Sequence, residues 1–436
     1  MTREAVDANE SSPAGSPWQV LRTFLPFKTQ DHRQWWDKTA SVLGRALEIA
    51  KYDVQAQYQH LLLHYATVTA TAGPFPNEKG DNITWLGFGS QVGTVELSFN
   101  YQNDSKCTVR VGGEPIGPYA GTDIDLTNEY AASTLLQNVT SMNSSVDIDC
   151  FNWFNQTAVL SNGEASQPQN RNCQYQTQRW VTFDLKHSGD FTAKAYFFNR
   201  HKAKFVGMDV RSHMFNTIRG LDCLSHFDTP LSLLEDFFSR PGRESLLPEM
   251  SFSVDCVEPK KTRLKIYAQG ILKSLSAIHD CWTLDGRITG EHVDRGFEIW
   301  ERLWRQLVHD DPSDLEMKHL VEFNWEFSPG RSDPIPKIYL FPMHISDDRV
   351  VQVLNGIFED LGWQGHVQMQ REFMSEAWYG TFRPSKAQLV LILSSYRAAK
   401  DLKTSKNFIK IISFAYIPGS GPYITTYGNP ALSDVE

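Results

Sequence analysis

The feature that most constrains this chain is a short strand pattern that recurs in distant segments. In the run Arg263-Leu264-Lys265-Ile266-Tyr267, polar and apolar residues alternate, so a β-strand would place both cations and the tyrosine on one face. The same order, with a cation followed two residues later by a tyrosine, occurs in Lys194-Ala195-Tyr196 and Lys337-Ile338-Tyr339. Repetition across such distances predicts that these strands line one shared cavity.

Alternating runs come in pairs along the chain, as the two strands of a hairpin do. Five such blocks lie at residues 94–113, 179–201, 250–269, 321–345 and 408–428. Helical periodicity is found at residues 41–69, before the first block, and between later blocks at residues 231–238, 296–308 and 350–361. The Asn-rich stretch at residues 138–172 is instead predicted to be a long irregular insertion.

Ten antiparallel strands interspersed with helices predict an α+β fold in which the strands close around a lumen and the helices form an outer ring. Closure removes exposed strand edges, and a barrel of this strand number leaves room for a ligand. We expect residues 1–17 to be a disordered tail and residues 18–436 to form this single domain.

In such a barrel the apolar residues of each strand face the helices and the polar residues face the lumen. The pattern therefore predicts that Glu96 and five cations point inward; the cations are Arg110, Lys194, Arg263, Lys265 and Lys337. The alternative is that these side chains cover solvated faces, as most Lys and Arg side chains do. Few inward carboxylates are apparent, so the cations would require an anionic ligand.

A diphosphate meets this requirement, because several charge-assisted hydrogen bonds would favour ionisation of an allylic diphosphate. Tyrosine rings are suited to shield the allyl cation that results, and the candidates are Tyr196, Tyr267, Tyr339, Tyr423 and Tyr427. Glu96 is the inward carboxylate best placed to act as a base toward an acceptor, although a salt bridge to a lumen cation is the alternative. Trp180 is a candidate to stack on an aromatic acceptor or, alternatively, a core residue.

Composition limits the remaining functions. A formal net charge of -9 over 436 residues argues against general nucleic-acid binding, which needs surplus Lys and Arg on one face. The six cysteines are scattered without a CxxC pair, which predicts free thiols in a reducing compartment. The sequence has no apolar signal-peptide core and no apolar run of membrane length. We therefore expect a cytoplasmic protein without membrane contact, as a monomer or homodimer.

A set of short motifs runs from about Trp35 to Tyr427. They are Trp35-Trp36, Tyr52-Asp53-Val54 with Gln57-Tyr58, Glu96-Leu97-Ser98, Arg110 before Glu114-Pro115-Ile116, Asp184-Leu185-Lys186, Lys194-Ala195-Tyr196-Phe197-Phe198, Arg263-Leu264-Lys265-Ile266-Tyr267, Lys337-Ile338-Tyr339 and Ser413-Phe414-Ala415-Tyr416 with Tyr423 and Tyr427. Together they resemble the fungal dimethylallyltryptophan synthase family of indole and aromatic prenyltransferases, whose fold is the αββα barrel.

The resemblance implies that the five cations bind the diphosphate of dimethylallyl diphosphate, that the tyrosines shield the cation and that Glu96 contacts the aromatic acceptor. It also implies chemistry without a metal or other cofactor. This chain departs from the usual family pattern at three positions: Ile411 replaces a common aromatic residue, Ile417 a common basic one, and Lys337 a frequent glutamine. Trp180 lies near the position where relatives that act on free tryptophan carry a lysine, which argues against free tryptophan as the acceptor.

Several alternatives remain open from the sequence. The acceptor is an indole or else a phenol or polyketide, the donor is dimethylallyl or geranyl diphosphate, and a barrel without catalysis would carry an anionic or aromatic ligand. Residues 310–314 spell a DDxxD motif of magnesium-dependent isoprenoid enzymes, but Pro312 disfavours the helix that this motif needs. His60 and His64 lie four residues apart without the Glu of a zinc motif, so we predict no metal site.

Overall fold

The computed structural model describes residues 15–77, 82–85, 87, 95–104, 106–168, 175–246, 249–272, 274–308, 319–343, 345–374 and 409–428. Ten strands are present in this part of the chain: β1 (Val95–Gln102), β2 (Lys106–Gly113), β3 (Arg179–Leu185), β4 (Phe191–Phe197), β5 (Glu249–Asp255), β6 (Leu264–Leu272), β7 (His319–Phe327), β8 (Ile335–Leu340), β9 (Ile409–Ile417) and β10 (Gly421–Gly428). They form the five predicted hairpins, one in each block.

The strands close into a barrel in the order β1-β10-β9-β8-β7-β6-β5-β4-β3-β2, so every strand has two neighbours. The first and last strands complete the ring, with register from Leu97 opposite Gly428 to Gln102 opposite Tyr423. All ten neighbouring pairs are antiparallel. The predicted α+β fold, a closed antiparallel barrel with helices, is confirmed.

Helices precede, connect and surround the hairpins. Their bounds are Pro17–Phe24, Gln30–Ile49, Val54–Ala66, Tyr130–Met142, Asp149–Thr157, Asn162–Ala165, Arg200–Phe205, Val210–Arg219, Asp228–Phe238, Leu275–Thr283, Glu291–Val308, Asp347–Asp360 and Gln364–Glu372, with 3-10 turns at Thr69–Thr71, Asp222–Phe227 and Glu244–Leu246. The first helix begins at the last residue of the predicted tail, and residues 1–14 lie outside the described residues. Among the described residues, no helix combines the length and apolar character that a membrane crossing requires.

The prediction of an irregular insertion at residues 138–172 was wrong. This segment contains the end of helix Tyr130–Met142 and the whole of helices Asp149–Thr157 and Asn162–Ala165. Phe151 and Phe154 lie on one face of the second helix, and the Phe154 ring packs edge-on against Phe252 of β5 at 4.8 Å. Burial of this face stabilises the helix against the weak helix propensity of Asn, a tertiary effect that composition does not reveal.

The outer face of the barrel and the inner faces of the helices form one apolar core. On β1, Val95, Leu97 and Phe99 belong to this core, as predicted, and Glu96 alternates with them. On β7, the Trp325 ring packs at 89° against Phe238 with centroids 5.4 Å apart. Because successive strand residues point to opposite faces, filling this core fixes which residues face the lumen.

The motif Tyr52-Asp53-Val54 connects the outer helices to the barrel. The Tyr52 hydroxyl donates to the Leu185 carbonyl and accepts from the Val109 backbone N–H at 3.1 Å, which ties it to β3 and β2. Asp53 caps the next helix by accepting from the Ala56 backbone N–H at 2.8 Å. This motif therefore stabilises the fold and does not enter the lumen.

Candidate active site

The strand register arranges the inward residues in successive layers along the barrel. On β8, Lys337 is followed two residues later by Tyr339, and Lys337 lies opposite Asn324 of β7. On β6, Lys265 is likewise followed by Tyr267, with Glu326 opposite Lys265 on β7. A step of two residues along a strand spans roughly 7 Å. A cation layer, defined by Arg110, Lys194, Arg263, Lys265 and Lys337, thus lies next to a tyrosine layer.

Four of the five cations in the cation layer contact carboxylates. Arg110 Nε lies 2.7 Å from Asp184, and Lys194 also contacts this carboxylate. Arg263 Nε lies 2.7 Å from Asp255. The three side chains Arg110, Lys194 and Asp184 thus form a buried ion triad between β2, β3 and β4.

The second ion cluster joins β6 and β7. The Glu326 carboxylate receives Arg263 Nη1 at 3.3 Å and Lys265 Nζ at 3.3 Å. Burial disfavours its charged form, but Lys265 and Arg263 together lower the pKa of Glu326 to about 2. In the same way Arg110 and Lys194 hold the pKa of Asp184 well below its usual range despite burial. Both carboxylates are therefore ionised at neutral pH.

The prediction that few carboxylates face the lumen was wrong, because Asp184, Asp255 and Glu326 all do. The signal was present in the alternation: Asp184 lies two residues from Thr182 and four from Trp180, on the face opposite to Val181 and Phe183. The alternation that places the cations in the lumen places these acids there as well. The layer nevertheless keeps more cations than anions.

Lys337 is the cation without an ion pair among the described residues. Its Nζ lies 4.8 Å from the centroid of the Tyr423 ring and 5.4 Å from that of Tyr339. Burial, with the charges of Arg110 and Lys265, lowers the pKa of Lys337 well below its usual range. An anion bound beside this ammonium would supply the negative charge that the protein does not.

The tyrosine layer is a row of rings on neighbouring inward positions. The ring centroids of Tyr196 and Tyr267 lie 5.8 Å apart, those of Tyr267 and Tyr339 6.2 Å, and those of Tyr339 and Tyr427 6.1 Å. Asn324 Nδ2 donates to the Tyr339 hydroxyl at 2.7 Å. Burial raises the pKa of Tyr427 to about 12, so this phenol stays neutral. The row presents electron-rich rings without a negative charge that a carbocation would alkylate.

Tyr423 lies in the cation layer, unlike the other four predicted tyrosines. It is opposite Ala415 on β9, the residue that also faces Lys337 on β8. Arg110 Nη2 donates to its hydroxyl, and the guanidinium carbon lies 5.7 Å from its ring centroid. Tyr423 therefore lies next to Arg110 and Lys337, two of the residues predicted to bind the diphosphate.

Glu96 lies on the side of Tyr427 away from the cations, and Trp180 lies level with Tyr196. Glu96 is two residues from Ser98, which lies opposite both Arg110 and Tyr427. Burial raises the pKa of Glu96 to about 7, against the opposing charges of Arg110 and Lys410. Trp180 is 8% exposed and lies opposite Tyr196 on the neighbouring strand. The end of the lumen that contains Glu96 and Trp180 is called the acceptor end below.

The residues considered as metal ligands have other partners. His60 Nε2 bonds the Lys186 carbonyl at 2.8 Å, and His64 Nε2 bonds the Thr39 hydroxyl at 2.8 Å, so both serve helix packing. Residues 310–314 lie outside the described residues. Within those residues, no group of three His, Cys, Asp or Glu side chains is placed to hold a metal ion.

The structure brings all twelve predicted site residues into the lumen, in an order that suits a diphosphate donor at one end and an aromatic acceptor at the other. A cationic end would bind a diphosphate, and the adjoining tyrosine rings would surround the carbon bonded to it. The Glu96 carboxylate and the Trp180 ring would be next to an aromatic acceptor. The roles of the individual residues remain predictions.

Comparison with known proteins identifies the family. The family model for tryptophan dimethylallyltransferase matches residues 31–372. The chain is 31% identical to the indole diterpene prenyltransferase anaPT of Neosartorya fischeri, over 94% of this chain and 90% of that protein. It is 28% identical to the reverse prenyltransferase criA of Aspergillus cristatus, over 97% and 95% of the two chains.

Solved structures agree with this result. The crystal structure of AnaPT from Neosartorya fischeri superposes with a TM-score of 0.81 and 28% identity, covering 95% of this chain and 98% of that one. The structure of NotF in complex with brevianamide F and DMSPP gives the same TM-score of 0.81 at 24% identity and shows the shared fold. The resemblance found in the sequence is confirmed: the chain is a prenyltransferase and belongs to the tryptophan dimethylallyltransferase family.

Proposed function

We propose that this protein transfers a dimethylallyl group from dimethylallyl diphosphate to the aromatic ring of an indole-containing acceptor, in the cytoplasm and without a metal. The observation that supports it best is the layered lumen, in which the cation layer adjoins a row of tyrosines inside a closed barrel. The names of the relatives, indole diterpene prenyltransferase among them, favour an indole acceptor.

In this mechanism the carbon–oxygen bond of the donor breaks first and its electron pair leaves with the diphosphate. The cation layer stabilises the charge that develops on the departing oxygen, which is electrostatic catalysis by groups already in place. The tyrosine layer stabilises the allyl cation by cation–π contacts, each worth about 2 kcal/mol when desolvated. Water would capture this cation, so closure of the lumen by aromatic rings also prevents hydrolysis.

The acceptor ring then attacks the allyl cation and a carbon–carbon bond forms. Glu96 accepts a hydrogen bond from the indole N–H and thereby raises the electron density of the ring. Loss of the ring proton restores aromaticity, and the ionised Glu96 carboxylate is a base of suitable pKa, near 7, to receive it. Trp180, which lies opposite Tyr196, would stack on the bound indole.

The test is an incubation with dimethylallyl diphosphate and EDTA, with tryptophan, tryptophan-containing cyclic dipeptides, indole diterpenes and phenols as acceptors, read by mass spectrometry. We expect a product heavier by one prenyl unit with an indole. Replacing Lys265 by Ala should lower turnover at least tenfold, which corresponds to about 1.4 kcal/mol in the barrier. The matched control is Lys261→Ala, since the Lys261 side chain is 75% exposed and pairs with Glu258 outside the lumen.

The proposal would be wrong if no indole were prenylated while diphosphate bound tightly, because the barrel would then carry its ligand without reacting it. Loss of product on treatment with EDTA, and its recovery with Mg²⁺, would contradict the metal-independent mechanism. Equal turnover of Lys265→Ala and Lys261→Ala would refute the assignment of the cation layer to the diphosphate.

A further inference from the structure

A small polar residue occupies the same position in every hairpin of the barrel. It lies on the first strand and faces the lumen, directly opposite an inward residue of the second strand. The pairs are Ser98 with Arg110, Thr182 with Lys194, Ser253 with Lys265, Asn324 with Lys337 and Ser413 with Thr425. None of the five polar residues is more than 7% exposed. A hydroxyl or amide that is buried in this way needs a hydrogen-bond partner inside the lumen.

In four of the hairpins the partner is a tyrosine of the tyrosine layer, which lies two residues further along the second strand. Asn324 Nδ2 donates to the Tyr339 hydroxyl at 2.7 Å, and the hydroxyl oxygens of Ser413 and Tyr427 lie 3.4 Å apart. The four diagonal pairs are Thr182 with Tyr196, Ser253 with Tyr267, Asn324 with Tyr339 and Ser413 with Tyr427. The four polar members of these pairs are called the anchor residues below.

The first hairpin has no such tyrosine, because Gly112 takes its place. Gly112 lies opposite Glu96 and two residues from Arg110. A Cβ atom there would lie 2.5 Å from the Val181 carbonyl oxygen and 2.6 Å from the Thr182 side chain, so the backbone leaves no room for a larger residue. The row of anchored rings is thus interrupted beside Glu96, toward the acceptor end.

The anchor residues hold each tyrosine ring at its outer end. The strand fixes the Cβ end of the side chain, and the hydrogen bond fixes the hydroxyl at the opposite end of the ring. Successive rings differ in plane by 45°, 51° and 42°. A cation–π contact requires the charge to lie over a ring face within about 6 Å of its centroid. A ring that swings away from this position loses the contact and leaves space for water.

We propose that Thr182, Ser253, Asn324 and Ser413 are positioning residues for prenyl transfer, which act through the tyrosine hydroxyls and hold the rings in place around the allyl cation. This inference rests on the proposed function, because it requires that the tyrosines surround such a cation. In the alternative, purely structural role, packing alone sets the ring positions and the hydrogen bonds only satisfy buried polar groups.

The first experiment compares Thr182→Val, which removes the hydroxyl and keeps the branched shape, with Thr182→Ser, which keeps the hydroxyl. The probe is dimethylallylammonium, a stable cation with the carbon skeleton of the donor, and its binding is measured by calorimetry with the protein saturated with pyrophosphate. Thr182→Val should weaken binding of the probe about threefold, at the lower end of the contribution of a neutral hydrogen bond. Thr182→Ser should bind the probe as the wild type does, and pyrophosphate affinity should stay within twofold in both variants.

Turnover gives a second readout, the ratio of prenyl alcohol to prenylated indole among the products. Asn324→Leu and Tyr339→Phe remove the same hydrogen bond, so each should raise this ratio about threefold and the double variant no further. Independent effects would multiply to about ninefold. Asn100→Leu is the matched control, since Asn100 is also a buried lumen amide but donates to Thr425 at 2.7 Å. It should leave the ratio unchanged.

The inference would be overturned if Thr182→Val bound the probe as the wild type does, if Thr182→Ser lost as much affinity as Thr182→Val, or if the wild type did not bind the probe. A ninefold effect in the double variant, or an equal effect of Asn100→Leu and Asn324→Leu, would assign the anchor residues a structural role only. Failure of the proposed function is distinguishable, because it would appear as the absence of prenylated product in the wild type. Probe binding tests the anchor residues with or without turnover.

Discussion

Replacing Lys337 with glutamine should remove a proton that the protein takes up when it binds pyrophosphate. In the empty site, burial and the cations Arg110 and Lys265 lower the pKa of Lys337 well below its usual range. Among the described residues this ammonium makes no ion pair; the rings of Tyr339 and Tyr423 lie beside it, and the charge of Glu326 only partly offsets the lowering of its pKa. A bound diphosphate supplies the missing negative charge and raises the pKa again.

The size of this coupling follows from linkage. Each unit by which the anion raises the pKa of Lys337 contributes 1.36 kcal/mol, about tenfold, to its own binding. Because the pKa is higher in the complex, affinity is greatest below the lowered pKa of the free protein. It then falls, by up to tenfold per pH unit, until the pH exceeds the pKa in the complex.

Calorimetry in two buffers of equal pH and different ionisation enthalpy counts the protons taken up. Pyrophosphate itself titrates near neutral pH, so the informative quantity is the difference between proteins measured with the same ligand. The wild type should take up as much as one proton more than Lys337→Gln, whose amide still donates a hydrogen bond. Lys261→Gln, at a side chain that is 75% exposed, serves as the control. Equal proton uptake by wild type and Lys337→Gln would refute the reasoning.

Three further predictions concern other residues of the lumen. Glu96→Gln should lower kcat with an indole at least tenfold and leave the pyrophosphate Kd within threefold, and an unchanged kcat would show that this carboxylate is no base. Asp184→Asn leaves Arg110 and Lys194 without their shared carboxylate. The free energy of unfolding measured with urea should therefore be lower by about 3 kcal/mol, and bound pyrophosphate should restore part of it. Because the pKa of Asp184 is lowered in the folded protein, this difference should be present at neutral pH and shrink as pH falls through that pKa. Tyr267→Leu should lower kcat about tenfold and release more prenyl alcohol, while Tyr267→Phe keeps the ring and should stay within threefold of wild type; equal loss in both would assign the effect to the hydroxyl.

The barrel and the facing of its residues were predictable from the sequence because strand alternation is a local signal. Once Leu264 and Ile266 lie in the outer core, Lys265 and Tyr267 must face the lumen. Five repeats of this pattern placed every predicted site residue on the correct face. The helices at residues 138–172 were missed because their apolar faces are short and the segment is Asn-rich. Helix Asp149–Thr157 gains stability from the packing of Phe154 on β4 and β5, which the sequence does not reveal.

The arrangement of the lumen residues in layers could not be predicted from the sequence. The position of a residue along the barrel axis depends on the register, that is, on which residues lie opposite it on the neighbouring strands. Glu322, a residue of β7 opposite Tyr339, and Glu96 are far apart in sequence and lie on strands that are not neighbours in the barrel. Nothing in either strand indicates that the charge of one raises the pKa of the other. The displacement of Tyr423 into the cation layer is a consequence of register in the same way.

The carboxylates within the cation layer explain how the empty barrel tolerates so many buried cations and still favours ionisation of a donor. Asp184, Asp255 and Glu326 compensate four cations, so the free protein avoids most of the cost of burying them. With Lys337 protonated, the layer retains a positive surplus toward a ligand. An allylic diphosphate gains one further negative charge on its phosphate end as its carbon–oxygen bond breaks. The surplus therefore binds the departing diphosphate more strongly than the intact donor, which lowers the barrier and not only the KM. The tyrosine layer, two residues further along the same strands, receives the positive charge formed in that step, so a single strand pattern provides for both products of the ionisation.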